Sequence, residues 1–153
     1  MSTTPHVSVS RTIAADADAL WSMVSDITRM GEWSPENVAG KWVKGASGPE
    51  LGARFKGSNR NGARRWSTMN TVNECEPGRR FGFQTSVGPM KAAQWTFTFA
   101  RADGGTEVTQ EWTDQRSGVL KAVGALATGV SDRDTHNRAG MEATLAALDD
   151  AVS

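Results

Sequence analysis

A chain of 153 residues is long enough to enclose a core as one domain spanning 1–153, and it needs no linker. Lys plus Arg and Asp plus Glu both number 17, so no summed charge draws the protein to nucleic acid or anionic lipid, and any such attraction has to be local. The lone Cys75 excludes an internal disulfide, and no Cys/His cluster has metal-ligand spacing, so neither a metal nor another cofactor is expected.

The cysteine usage fits the cytoplasm best; no apolar run approaches the roughly 18 residues of a membrane span and the first residues lack a basic-then-apolar leader, so the chain reads as soluble. In chain order, Val7, Val9, Arg11 and Ile13 alternate with polar residues and predict a half-buried strand. Asp16 or Asp18 can then cap a short helix with Leu20, Trp21, Val24 and Ile27 on one side. A second short turn over 28–32 must stop by Ser34, because Pro35 disfavours helix in the residue before it. Six strands are predicted next, at 38–44, 53–59, 65–74, 80–87, 92–102 and 106–113. Asn61-Gly62, Pro77-Gly78 and Asp103-Gly104-Gly105 separate them as tight reversals, and connections this short force antiparallel neighbours.

From Ser117 to Val152 the apolar positions Val119, Val123, Leu126, Val130, Met141, Leu145, Leu148 and Val152 follow a helical period. They predict one long helix, ~50 Å over ~35 residues, with a kink allowed near 130 by Gly124, Gly129 and the capping pair Ser131-Asp132. Segregated helices beside an antiparallel sheet make this an α+β protein with the long helix across the concave face. Parity turns Phe81 and Phe83, then Trp95, Phe97 and Phe99, then Val108, Gln110 and Trp112 toward that helix.

This element order, the "MGEWSPE" end of the early helix, the "GARFKGSNRNGARRW" hairpin and the "ECEPGRRFGF" turn together resemble the START-like superfamily. The likeness is to its bacterial polyketide cyclase/dehydrase (SRPBCC) branch and covers nearly the whole chain. It implies a helix-grip fold, in which a seven-stranded curved antiparallel sheet wraps a long C-terminal helix and the space between them takes apolar small molecules. Because members include lipid carriers, receptors, aromatases and cyclases, the resemblance does not fix an activity.

Candidate ligand-binding residues are the aromatic set Trp33, Phe55, Trp66, Phe83, Trp95, Phe97 and Trp112, which reads either as a pocket wall or as plain core. Val119, Val123, Leu126 and Val130 would hold an apolar tail, with Asn137 and Arg133, one helical turn apart, at a polar head. Asn59, Asn70, Gln94 and Gln110 are possible partners for buried indole N–H groups. Trp33, before Ser34-Pro35, is expected at the pocket mouth.

Arg54, Lys56, Arg60, Arg64 and Arg65 carry five cations within twelve residues and read as a solvated outer face or an anion-recognition patch. Nucleophilic catalysis finds little support. His6 is terminal, His136 stands four residues from Asp132 as in a surface pair, Cys75 lacks a neighbouring base, and no Tyr exists for acid/base work. Glu36 and Glu74 remain conceivable general acids.

The leading expectation is binding or carriage of a hydrophobic small molecule of lipid, polyketide or isoprenoid type, with no nucleic acid and no membrane span. Polyketide cyclase, aromatase or dehydratase chemistry stands as the alternative, and a regulatory module without ligand as a third. Catalytic residues and oligomeric state are left open by the sequence.

Overall fold

The computed structural model describes residues 6–130 and 132–153. Its elements are strand β1 (Val7–Ile13), helix α1 (Ala17–Ser25), a single 3-10 turn (Ile27–Arg29), helix α2 (Met30–Trp33), and strands β2 (Asn37–Val43), β3 (Arg54–Asn61) and β4 (Arg64–Glu76). Strands β5 (Arg80–Val87), β6 (Met90–Ala102) and β7 (Gly105–Asp114) follow, then helices α3 (Gly118–Thr128) and α4 (Arg133–Val152). The seven strands form one antiparallel sheet in the order β1-β7-β6-β5-β4-β3-β2, so every neighbour after β1 is also a neighbour in sequence. This is the α+β helix-grip architecture.

Curvature comes from three interruptions of register, between Asn37 and Ala39, Val72 and Glu74, and Thr85 and Ser86. Such bulges bend a strand locally and increase its twist, which lets the sheet curl around a helix. At the β2 edge, Gly40 is needed for close approach, because a Cβ there would run into the carbonyl oxygen of Ile27. The 3-10 turn therefore lies directly on β2, and α2 follows it as a short cover over one edge of the concave face.

The core lies between the sheet and α4. Asn137, Met141, Thr144, Leu145 and Leu148 are the buried residues of α4, at the 3-and-4 spacing of one helical face. Met141, Leu145 and Leu148 join Ile13, Phe81, Phe97, Phe99, Val108 and Trp112 in one cluster. Each fully buried Leu or Phe contributes roughly 1.5–3 kcal/mol relative to exposure, so this layer holds the fold.

The single ~35-residue helix expected from the apolar period is two helices. Gly129 ends α3 in the left-handed conformation at φ 74°, with its N–H on the Ala125 carbonyl. Asp132 opens α4 by accepting from the Thr135 backbone N–H at 3.2 Å. Ser131, the other half of the predicted capping pair, lies outside the described residues. Of the two carboxylates proposed to cap α1, Asp16 does so, accepting from Asp18 N–H at 3.1 Å.

Candidate functional site

Between the concave face, α3 and the start of α4 lies a cavity of about 300 Å³. It adjoins a second space of about 290 Å³ under α4, and Ser34, Glu36, Trp95, Gln110, Asn137 and Thr144 border both. Alternation supplies the wall. Trp66 and Asn70 on β4, Phe83 and Thr85 on β5, Trp95 and Phe97 on β6, and Gln110 and Trp112 on β7 all project inward, and Trp33 closes the side at α2. Trp95 and Trp112 sit side by side with ring centroids 6.3 Å apart.

Six of the seven aromatic candidates thus border the cavity. Phe55 does not: it is fully buried one layer deeper, edge-on to Phe83 at 5.0 Å and to Trp42 at 5.6 Å. It shares the inner face with its cross-strand partner Asn70, but a place on that face carries no information about depth.

The helical candidates divide. Asn137 is buried at the junction of the two spaces, and Val123 lies on the cavity rim. Val119 and Leu126 instead face solvent, 71% and 79% exposed, and Val130 is buried away from the lining. The α3 residues that do close the cavity are Leu120, Gly124, Ala127 and Thr128 beside Val123. One residue of phase rotates a side chain by ~100°, so a stripe extrapolated across the Gly129 break selected the wrong side of α3.

Two arginines border the cavity, and each is neutralised. Arg116 makes a fork to Asp114, both contacts at 2.8 Å. Burial would push the Asp114 carboxyl up, but the side-chain and backbone hydrogen bonds from Arg116 together outweigh it and hold the group below the usual carboxylate range. Arg133 donates to Glu36 Oε1 at 2.7 Å and to Asn137 Oδ1 at 3.3 Å, and its guanidinium lies over the Trp66 ring at 5.6 Å.

Glu36 also receives His136, whose Nε2 is 2.9 Å from Oε2. A carboxylate only accepts, so Nε2 carries the hydrogen, and in the neutral ring Nδ1 is then the acceptor. The expected i,i+4 pairing of His136 with Asp132 is therefore not formed, because Asp132 is engaged in capping Thr135. No sequence signal pointed to the Glu36 cluster, whose members lie 97 and 100 residues apart.

Three polar atoms on lining residues are buried without a protein partner among the described residues: Trp33 Nε1, Asn37 Oδ1 and Gln110 Oε1. Each unmet group costs roughly 1–3 kcal/mol. Asn70, by contrast, is used internally, accepting from Thr85 Oγ1 at 2.7 Å. Gln94, proposed as an indole partner, pairs with Asn73 at 2.8 and 3.0 Å. Cys75 is half-buried, and burial pushes its thiol up, away from nucleophilic use.

The family model for polyketide cyclase/dehydrase and lipid transport proteins matches residues 4–152. No curated protein matches the sequence. Among solved structures, the Polyketide_cyc-like protein Cgl2372 from Corynebacterium glutamicum is similar at 28% identity and a TM-score of 0.65, over 99% of this chain and 93% of that one. Protein Ms6760 from Mycobacterium smegmatis is similar at 15% identity and a TM-score of 0.65, over 95% and 88%. The di-domain ARO/CYC StfQ of the steffimycin biosynthetic pathway is similar at 12% identity and a TM-score of 0.72, over 94% of this chain and 49% of that one. At the latter two identities the likeness concerns the fold alone.

Proposed function

Because the chain belongs to the polyketide cyclase/dehydrase and lipid transport family, we propose that its cavity binds and carries an uncharged hydrophobic small molecule of lipid, polyketide or isoprenoid type. The observation that carries this reading is the wall: six aromatic rings around about 300 Å³, with both bordering arginines already neutralised by Asp114 and Glu36. An apolar ligand gains from such a surface, whereas a carboxylate or phosphate within it would meet only arginines already paired, Arg60, unpaired among the described residues, bordering the adjoining space instead. Trp33 Nε1, Asn37 Oδ1 and Gln110 Oε1 offer one donor and two acceptors, which suits a ligand with hydroxyl groups and a carbonyl on an otherwise apolar frame.

Native mass measurement on protein isolated from cells is expected to show a bound neutral species of lipid-like mass that organic extraction releases. Bare protein, together with no uptake of an apolar fluorophore, overturns the reading and leaves a module without ligand.

One observation favours the second reading, an enzyme of cyclase or dehydratase type: His136, held by Glu36, borders the adjoining space. There its Nδ1 is a candidate base for a proton next to a ligand carbonyl. Turnover of a polyketide mimic that is lost in His136→Gln while fluorophore binding persists would establish it. Equal turnover in both proteins would remove it.

A further inference from the structure

Helix α3, GVLKAVGALAT, is apolar on nearly every side, a pattern expected of a buried helix. It is not buried: Val119, Val123 and Leu126 are 71, 58 and 79% exposed. Val87 and Met90, also exposed, bracket the β5–β6 turn at the same end of the sheet.

Cations lie at the same end of the sheet. At the β3–β4 tip Arg64 donates to the Leu126 carbonyl at 3.2 Å, and Asn61 donates to the Thr128 carbonyl at 2.9 Å, so the basic hairpin is tied to the end of α3. Arg60 and Arg65 are held directly opposite each other across β3 and β4, an arrangement of like charges that destabilises a sheet unless an anion offsets it. Lys91 follows Met90, and Lys121 stands on α3 itself. Among the described residues, Arg60, Arg64, Arg65 and Lys91 have no carboxylate within 4.0 Å, and Lys121 reaches Asp114 only at 3.9 Å.

We propose that the outer face of α3, with the β3–β4 and β5–β6 tips, docks on an anionic lipid bilayer surface. Apolar side chains at the centre and uncompensated cations at the rim are the two terms that bind a helix in the interfacial plane, one by burying hydrocarbon and the other by attraction to headgroups. The opposite side of the same helix closes the cavity through Leu120, Gly124 and Ala127. A docked α3 therefore separates cavity from bilayer by one helix thickness, with the left-handed Gly129 as the joint to the fixed α4. Docking rests on the outer surface alone and does not require the carriage reading.

The test is co-sedimentation of the full chain with vesicles of phosphatidylcholine alone or with 30% phosphatidylglycerol. Docking is expected on the anionic vesicles, weakening as salt rises. Val119→Ser with Leu126→Ser, both outside the cavity lining, is expected to reduce it more than tenfold at unchanged thermal midpoint and unchanged fluorophore uptake. Arg65→Ser with Lys91→Ser is expected to weaken it by roughly 25-fold, about fivefold per cation. Equal binding to both vesicles, or binding indifferent to the Val119/Leu126 pair, overturns the proposal. So does a dimer in light scattering that this pair abolishes without any vesicle binding, since the face would then belong to a second copy. A chain that docks yet takes up no fluorophore keeps this proposal and loses the carriage reading.

Discussion

Helices α3 and α4 follow one another with four residues between them, yet they use the same kinds of side chain in opposite ways. α4 buries Met141, Leu145 and Leu148 against the sheet and, apart from Arg133 at the cavity, turns its Arg, Asp and Glu side chains away from that core, while α3 keeps Leu120 inside and turns Val119, Val123 and Leu126 to solvent. The difference teaches that an apolar period identifies a helix without identifying which side of it is held. α4 is part of the core. α3 is a cover, fixed by backbone carbonyl contacts at one end and by the Asp114–Arg116–Lys121 charges at the other.

The sharpest way to break this comparison is to delete equivalent leucines. Leu148→Ala, at a fully buried site, is expected to cost about 3–4 kcal/mol in urea unfolding, and Leu126→Ala within about 0.5 kcal/mol of zero. Similar losses from the two would mean that α3 belongs to the core after all.

Next in size is the anchor at the start of α3. Asp114→Asn leaves Arg116 half-compensated beside the cavity and is expected to cost about 2 kcal/mol at neutral pH. The sign of its pH dependence follows from the depressed folded pKa. The contribution is present above the unfolded value near 3.8 and is lost as pH falls through the lower folded value. Wild type should therefore show a steeper decline in stability below about pH 4 than the variant.

Trp33→Ala separates the wall from the core. One side of the ring bounds open volume, so the loss of stability is expected at about 2 kcal/mol, below the ~3–5 kcal/mol of an enclosed Trp, while affinity for an apolar fluorophore falls more than tenfold. A stability loss in the full range with unchanged affinity would return Trp33 to plain packing.

The smallest expected effect lies at the joint. Gly129→Ala forces a side chain onto φ 74° and is expected to cost ~1 kcal/mol, with hydrogen exchange quickening in α3 and not in α4. Equal quickening in both would make them one cooperative unit.

How much of this was written in the sequence follows the same division. Strand alternation and turn glycines placed β1 and β5 at their observed bounds and the other strands within two residues of them. The inward parity of Trp95, Phe97, Gln110 and Trp112 carried over directly into the cavity wall. In α3 nearly every position is apolar, so the stripe begun at Val119 had no reliable phase there, and carrying it as one helix across Gly129 put Val119 and Leu126 on the wrong side. The Glu36, Arg133 and His136 cluster was illegible for another reason. Its members meet only because α2 and the start of α4 converge on the same edge of the cavity, a long-range coincidence with no local pattern.

The proposed ligand of the cavity is apolar and uncharged. The most direct measurement titrates the protein with N-phenyl-1-naphthylamine and with 1-anilinonaphthalene-8-sulfonate, two fluorophores of the same frame that differ by one sulfonate. Saturable one-to-one binding of the neutral compound, lost in Trp95→Ala, and at least tenfold weaker binding of the anion are expected. Tighter binding of the sulfonate, or no binding of either, would contradict the proposal.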